Sequence, residues 1–244
     1  MLHQPTLEKL EAMRLHGMAQ AWRELAKSEQ AADLSFEDTL ALLVDRQFGW
    51  RQNEAFQARL RRAKLRGNAC VEDIDYRAAR GLDKTLLRSL ATDSSWVERH
   101  ENIFVCGPTG VGKSYLASAL AHKACRAGYR SLYYYAPKLF RDIATAQADG
   151  SLSSLIVKLA KVRVLIVDDW GLAQGTEAQY RDLLEILDDR HGVGTTVITS
   201  QFPVSRWHEL INLPTLADAI LDRLVHHAHR IELKGDSLRK RKAP

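Results

Sequence analysis

Residues Gly107 to Ser114 read GPTGVGKS, the G-x-x-x-x-G-K-S spacing of a phosphate-binding loop. Phosphates need several backbone N–H groups converging on one point. Glycines at 107, 110 and 112 permit the backbone angles and the close approach this requires. A helix starting near Lys113 aims its positive end at the phosphates. Lys113 is then expected to neutralise the β- and γ-phosphates, and Ser114 to ligate Mg²⁺. The expected nucleotide contacts run through Gly107, Pro108, Thr109, Gly110, Val111, Gly112, Lys113, Ser114 and Tyr115. By average residue usage the pattern arises by chance in roughly one chain in a hundred of this length. An apolar strand before it and an alanine-rich helix after it lower that further.

A second run, VRVLIVDD at Val162 to Asp169, carries four apolar residues into two acids at a strand end. A Mg²⁺–nucleotide site needs a carboxylate to hold the metal and a group to orient the attacking water. Asp168 suits the first role and Asp169 the second. A solvated acidic turn is the alternative, and the nearby phosphate loop weakens it. A third strand ends in Thr199-Ser200-Gln201, where polar residues can reach the γ-phosphate or the water. Ordinary turn chemistry explains that triple equally well.

These residues need a scaffold. From Asn102 onward, strand-sized runs (Asn102 to Cys106, Ser131 to Tyr135, Val162 to Val167, Thr195 to Thr199, Arg230 to Leu233) alternate with helix-length segments (Lys113 to Ala127, Pro137 to Ala148, Glu177 to Arg190, Leu216 to His227). That alternation predicts an α/β fold with a parallel five-stranded sheet flanked by helices. Thr176 with Gln179, and Thr215 with Asp218, read as capping boxes. The unit Ser131 to Ala148 between the two motifs suggests the class of P-loop proteins in which an extra strand separates loop strand from acid strand.

The first 95 residues read as helices. Leu7, Leu10, Met18, Trp22 and Leu25 recur at helical spacing. Ser35 with Asp38 would cap a second helix that buries Leu40, Leu43, Val44 and Phe48. The expected domains are a helical DNA- or partner-binding unit at 1–67, a linker at 68–95, and an ATPase domain with a basic tail at 96–244. On a helix, Arg51, Arg59, Arg62 and Arg66 fall within an arc of about 80° beside an apolar arc of Phe56, Leu60 and Ala63. Several arginines on one face would bind duplex DNA without reading sequence. A solvated amphipathic face is the alternative. The tail Arg239 to Lys242 offers further cations.

The 244 residues are 45% hydrophobic and 27% charged, which excludes collagen-like and wholly disordered chains. The net charge of +5 hints at a polyanionic partner. Cys70, Cys106 and Cys125 match neither a disulfide framework nor a zinc site, so a reducing cytoplasm is expected. No run approaches a membrane span, so no membrane partner is expected. His226, His227 and His229 have no evident fourth ligand, and Tyr133-Tyr134-Tyr135 reads as a packed strand.

Together GPTGVGKS, VLIVDDWG, TTVITSQFPVSRWHE, AILDRLVHHAHRIEL and the ending KGDSLRKRK resemble the IstB family, AAA+ helper ATPases of insertion-sequence transposition. The opening LEKLEAMRLHGMAQAW is similar too, so the resemblance covers nearly the whole chain. It implies ATP and Mg²⁺ as cofactors, ATP hydrolysis, ATP-dependent homo-oligomers, duplex DNA bound largely without sequence preference, and a cognate transposase. It also implies that Arg223 reaches the neighbouring subunit's nucleotide as an arginine finger, and that the C-terminal helical lid of larger relatives is missing. Ser200 falls where related proteins place a polar sensor, often asparagine, and Asp169 stands where many AAA+ proteins carry glutamate, which implies slow turnover. Arg239 is the weak substitute for a lid arginine. A helicase loader of the DnaC type, acting in replication on single strands, shares the same core and stays open. So does a small-molecule phosphotransferase that ignores DNA.

Overall fold

The computed structural model describes residues 3–28 and 34–238. The tail Arg239 to Lys242, with Arg239 as substitute lid arginine, lies outside them. The chain divides into two compact units, one ending at Ala58 and the other beginning at Arg59.

The first unit holds α1 (His3–Ala12), α2 (His16–Leu25) and most of α3 (Phe36–Ala63). The apolar spacing from Leu7 to Leu25 predicts one helix; the structure breaks it at Arg14, whose φ of 58° is left-handed. Gly17 lies against α3, where a Cβ would overlap the Arg46 carbonyl. The Gln47 side-chain oxygen accepts from the Gly17 and Met18 N–H groups at 2.9 and 3.2 Å, so α3 caps α2. Ser35 caps α3 as expected, accepting from the Asp38 N–H at 3.1 Å. The expected buried side of α3 is corrected. Leu43 is buried, but Leu40, Val44 and Phe48 are exposed, as is Phe36. Periodicity shows a stripe, not which stripe is covered.

The second unit contains, in chain order, α4 (Lys84–Thr92), α5 (Ser95–Glu98), β1 (Asn102–Cys106), α6 (Lys113–Arg126), β2 (Ser131–Tyr135), α7 (Ala136–Asp149), α8 (Leu152–Ala160), β3 (Val164–Trp170), α9 (Glu177–Arg190), β4 (Thr195–Ser200), α10 (Trp207–Ile211), α11 (Pro214–Val225) and β5 (Ala228–Glu232). All pairings are parallel, in the order β2-β3-β4-β1-β5. A strand does separate the loop strand from the acid strand. It is β4, whereas β2, the intervening strand in the sequence, takes the edge.

Alternation along the strands builds two cores. Ile103, Val105, Ile166 and Val197 pack with Leu116 and Leu120 of α6. Phe104, Leu165 and Ile198 pack on the other face with Leu139, Ile143, Leu183 and Ile220. Burying each such side chain is worth roughly 1.5–3 kcal/mol. Residues 68–95, expected as a linker, place Ala69, Val71, Ile74, Leu87 and Leu90 in the α6-side core. The Thr176–Gln179 capping box forms, but Leu213 occupies the N-cap of α11, so Thr215 is not a cap. No helix follows β5 among the described residues, and none there is long and apolar enough to cross a membrane.

Candidate nucleotide-binding site

The loop between β1 and α6 lies at the C-terminal edge of the sheet. Gly107, Gly110 and Gly112 have φ values of 147°, 87° and 98°, which side chains avoid. At Gly107 and Gly110 space matters as well, because a Cβ would overlap the Leu233 carbonyl and the Ser237 side chain. Lys113 Nζ donates to the Pro108 carbonyl at 2.9 Å, folding its side chain over the loop. A cavity of about 820 Å³ opens here, lined by Thr109, Gly110, Gly112, Lys113, Ser114 and Tyr115 of the loop, and by Asp169 and Gln201 of neighbouring strand ends.

The two acids are presented by a β-bulge. Val167 pairs with Ile198 and Trp170 with Ser200, so Asp168 and Asp169 together face Thr199. Asp169 adopts a φ of 57°, a left-handed conformation that asparagine and aspartate tolerate best among non-glycine residues. Thr199 bridges the pair. Its hydroxyl donates to Asp168 Oδ1 at 2.5 Å and accepts from the Asp169 N–H at 3.0 Å. Asp168 is wholly buried, and its Oδ2 accepts from the Tyr133 hydroxyl at 2.6 Å. Burial, and then the bond to Asp168, push the Tyr133 phenol well above its ordinary value, so it stays a donor. Cys106, just before the loop, is pushed up to about 11 by burial and by Glu232, which keeps it a neutral thiol.

Several expected site residues sit elsewhere. Ser200 is fully buried and donates to the Trp170 carbonyl at 2.8 Å, so its hydroxyl turns from the cavity. Thr199 and Gln201 flank the acids instead. Arg223 lies at the opposite edge of the sheet, paired with Asp188 and Asp222 at 2.6 Å each. Within its own chain it is not part of this cavity. Of the expected DNA-contacting arginines, Arg51 and Arg62 are exposed. Arg59 Nε donates to the Cys125 carbonyl at 2.7 Å. Arg66 leaves the helical arc altogether, because α3 ends at Ala63 and Lys64 turns left-handed at φ 52°. Its guanidinium lines the cavity and pairs with Asp168.

Two parts of the cavity wall escaped the sequence reading. Arg80 is 3% exposed. Its Nη1 donates to the Val111 carbonyl at 3.2 Å and its Nη2 to the Asp75 carbonyl at 3.0 Å. Burial lowers its pKa, with Asp75 opposing. The chain after β5 is tied to the same loop. Leu233 N–H donates to Cys106, Lys234 N–H to Arg80 and Leu238 N–H to Gly110. That role for KGDSL has no local sequence signature.

The donor set fits a nucleotide with a hard divalent cation: a glycine cradle, one lysine, a serine hydroxyl and carboxylate oxygens. Ser114 and the acid pair would hold such a cation, which would supply positive charge to offset the phosphates. No cluster of histidine, cysteine and acidic residues suited to a metal occurs among the described residues.

The family model described as IstB-like ATP binding protein matches residues 8–244. The insertion sequence ATP-binding protein y4pL of Sinorhizobium fredii is 52% identical over 240 residues, 98% of this chain and 98% of that protein. Among solved structures, AMPPCP-bound DnaA from Aquifex aeolicus superposes with a TM-score of 0.58 at 18% identity, over 73% of this chain and 55% of that one. The DnaC helicase loader gives 0.54 at 17%, over 68% and 97%. At these identities the two structures attest the shared fold.

Proposed function

The chain belongs to the family of IstB-like ATP binding proteins, and from that premise we propose that it is the ATP-dependent helper of an insertion-sequence transposase. It is a P-loop ATPase with an AAA+-type sheet. In the proposed mechanism the loop amides and Lys113 hold the phosphates of ATP, and Ser114 and Asp168 hold Mg²⁺. Asp169 orients the attacking water, and Thr199 fixes both acids. Subunits assemble in the cytoplasm on duplex DNA through phosphate contacts that include the exposed Arg51 and Arg62. The assembly recruits the transposase and regulates its choice of target.

Arg223 completes a neighbour's site in this scheme. Its placement at the sheet edge opposite its own cavity supports action between subunits, and its pairing with Asp188 and Asp222 has to open for that. The observation that carries the reading is the bulge that sets both acids against Thr199 beside the P-loop, in a chain 52% identical over its length to an insertion sequence ATP-binding protein.

The test is binding to long duplex and to single-stranded DNA, with and without ATP, across a salt series. ATP-dependent duplex binding with a steep salt slope is expected. A single-strand preference favours the helicase-loader reading that the DnaC fold similarity keeps open.

A further inference from the structure

Asp168 is a carboxylate with no exposed surface, and a buried charge needs both hydrogen bonds and a counter-charge. Two of its partners are neutral: Thr199 on Oδ1 and Tyr133 on Oδ2. They orient the carboxylate without balancing it. The guanidinium beside it is Arg66, with Nη1 3.4 Å from Oδ2. The two ends of this ion pair are unequal. The Arg66 side chain keeps 54% of its exposure, so returning to water costs it little. Asp168 has no such escape, and if Arg66 leaves, another cation has to replace it. Arg66 also lines the cavity with Lys113, Ser114 and Asp169. Arg66 thus touches the buried Asp168 and the cavity at once, whereas Asp168 itself is not exposed there. Guanidinium and Mg²⁺ repel each other, and one carboxylate oxygen cannot serve both closely.

We infer that Arg66 is a positioning residue that competes with Mg²⁺ for Asp168, so that guanidinium and Mg²⁺–nucleotide hold the same buried carboxylate in turn. This rests on the Mg²⁺–ATP reading above, and it takes Arg66 out of the DNA-contacting set expected from the sequence. Arg66 lies three residues past the end of α3.

The test is a Mg²⁺ titration of the binding of a fluorescent ATP analogue, without DNA, by the full chain and by Arg66→Ala, Arg66→Gln and Arg66→Lys. Melting curves establish that each variant is folded. Removing a competitor lowers the Mg²⁺ midpoint about three- to tenfold in the alanine and glutamine variants, and lysine restores most of the original value. General damage to the site moves the midpoint the other way, so the direction is diagnostic. An unchanged or raised midpoint in folded Arg66→Ala and Arg66→Gln overturns the competition. So does an unchanged Mg²⁺ curve accompanied, in a separate duplex-DNA titration of the same variants, by lost binding, which makes Arg66 a backbone-phosphate contact. If the unaltered protein binds the analogue with no Mg²⁺ dependence, the reading of the site fails first. Normal Mg²⁺ dependence with an unmoved Arg66→Ala curve fails the competition alone.

Discussion

The two edges of the sheet treat polar groups in opposite ways. At the N-terminal edge, Arg190 is 1% exposed and meets no carboxylate. Its guanidinium donates to the carbonyls of Leu159, Val162 and Thr195 and to the Thr196 hydroxyl. Asn102 there joins the Leu224 carbonyl to the Thr196 N–H. These groups are held mostly by fixed backbone and tie α8, α9, α11, β1 and β4 together. At the C-terminal edge, Asp168 is equally buried, but one of its partners is a half-exposed arginine, and Asp169 and Gln201 open into the cavity. Closed networks of neutral acceptors stabilise; networks with one movable ion leave room for a ligand.

Substitutions can break or sharpen that contrast. The largest functional effect belongs to Lys113→Ala, expected to weaken ATP binding roughly 100-fold in a fluorescence titration, because a charge-assisted phosphate contact is lost. Its melting temperature should stay close to that of the unaltered chain. Arg190→Leu is the counterpart at the other edge. It removes four buried hydrogen bonds, to three carbonyls and a hydroxyl, and should cost about 3–4 kcal/mol in chemical denaturation. The folded fraction should bind ATP normally, and a specific loss of ATP affinity would erase the contrast. Thr199→Val removes the bridge between the acids. Turnover should fall about 10- to 100-fold with ATP affinity within about threefold, a split a steady-state assay resolves.

The smallest expected effect is electrostatic. Glu101, just before β1, is held below the ordinary carboxylate range, first by its hydrogen bond from Arg99 and then by His229. A depressed carboxylate stabilises the fold above its unfolded pKa and loses that contribution as pH falls through the folded value. Glu101→Gln should flatten the acid limb of stability below about pH 4.5 by under about 1 kcal/mol, measured by melting across pH.

What the sequence disclosed follows from locality. The P-loop, the acid pair and the alternation of strands and helices are contiguous patterns, and each lies where its spacing places it. Ser200 turns from the cavity because it alternates with Thr199 along β4, on the face of Ile198, while Thr199 shares the α6-side face of Val197; which face holds the site is decided by tertiary packing. Arg66 stayed on the arginine stripe in the sequence because a lysine gives no sign of turning left-handed and ending a helix. Arg80 and the segment after β5 reach the loop through tertiary contacts alone. The exposed Leu40 and Val44 show the same limit in the helical unit, where an apolar stripe does not name its cover.

The bulge also has a consequence for how this protein can change. Deleting one residue from a central strand ordinarily throws every following side chain onto the wrong face. Here the strand carries one residue too many, and Asp169 holds it in a left-handed conformation that a regular ladder does not need. Removing Asp169 would let β3 and β4 pair without interruption and relieve a local conformational cost of about 1–3 kcal/mol. The product would gain order in its sheet and lose the acid that lines the cavity. Selection for stability alone would drive the chain toward that deletion, so the extra residue persists only while turnover is under selection.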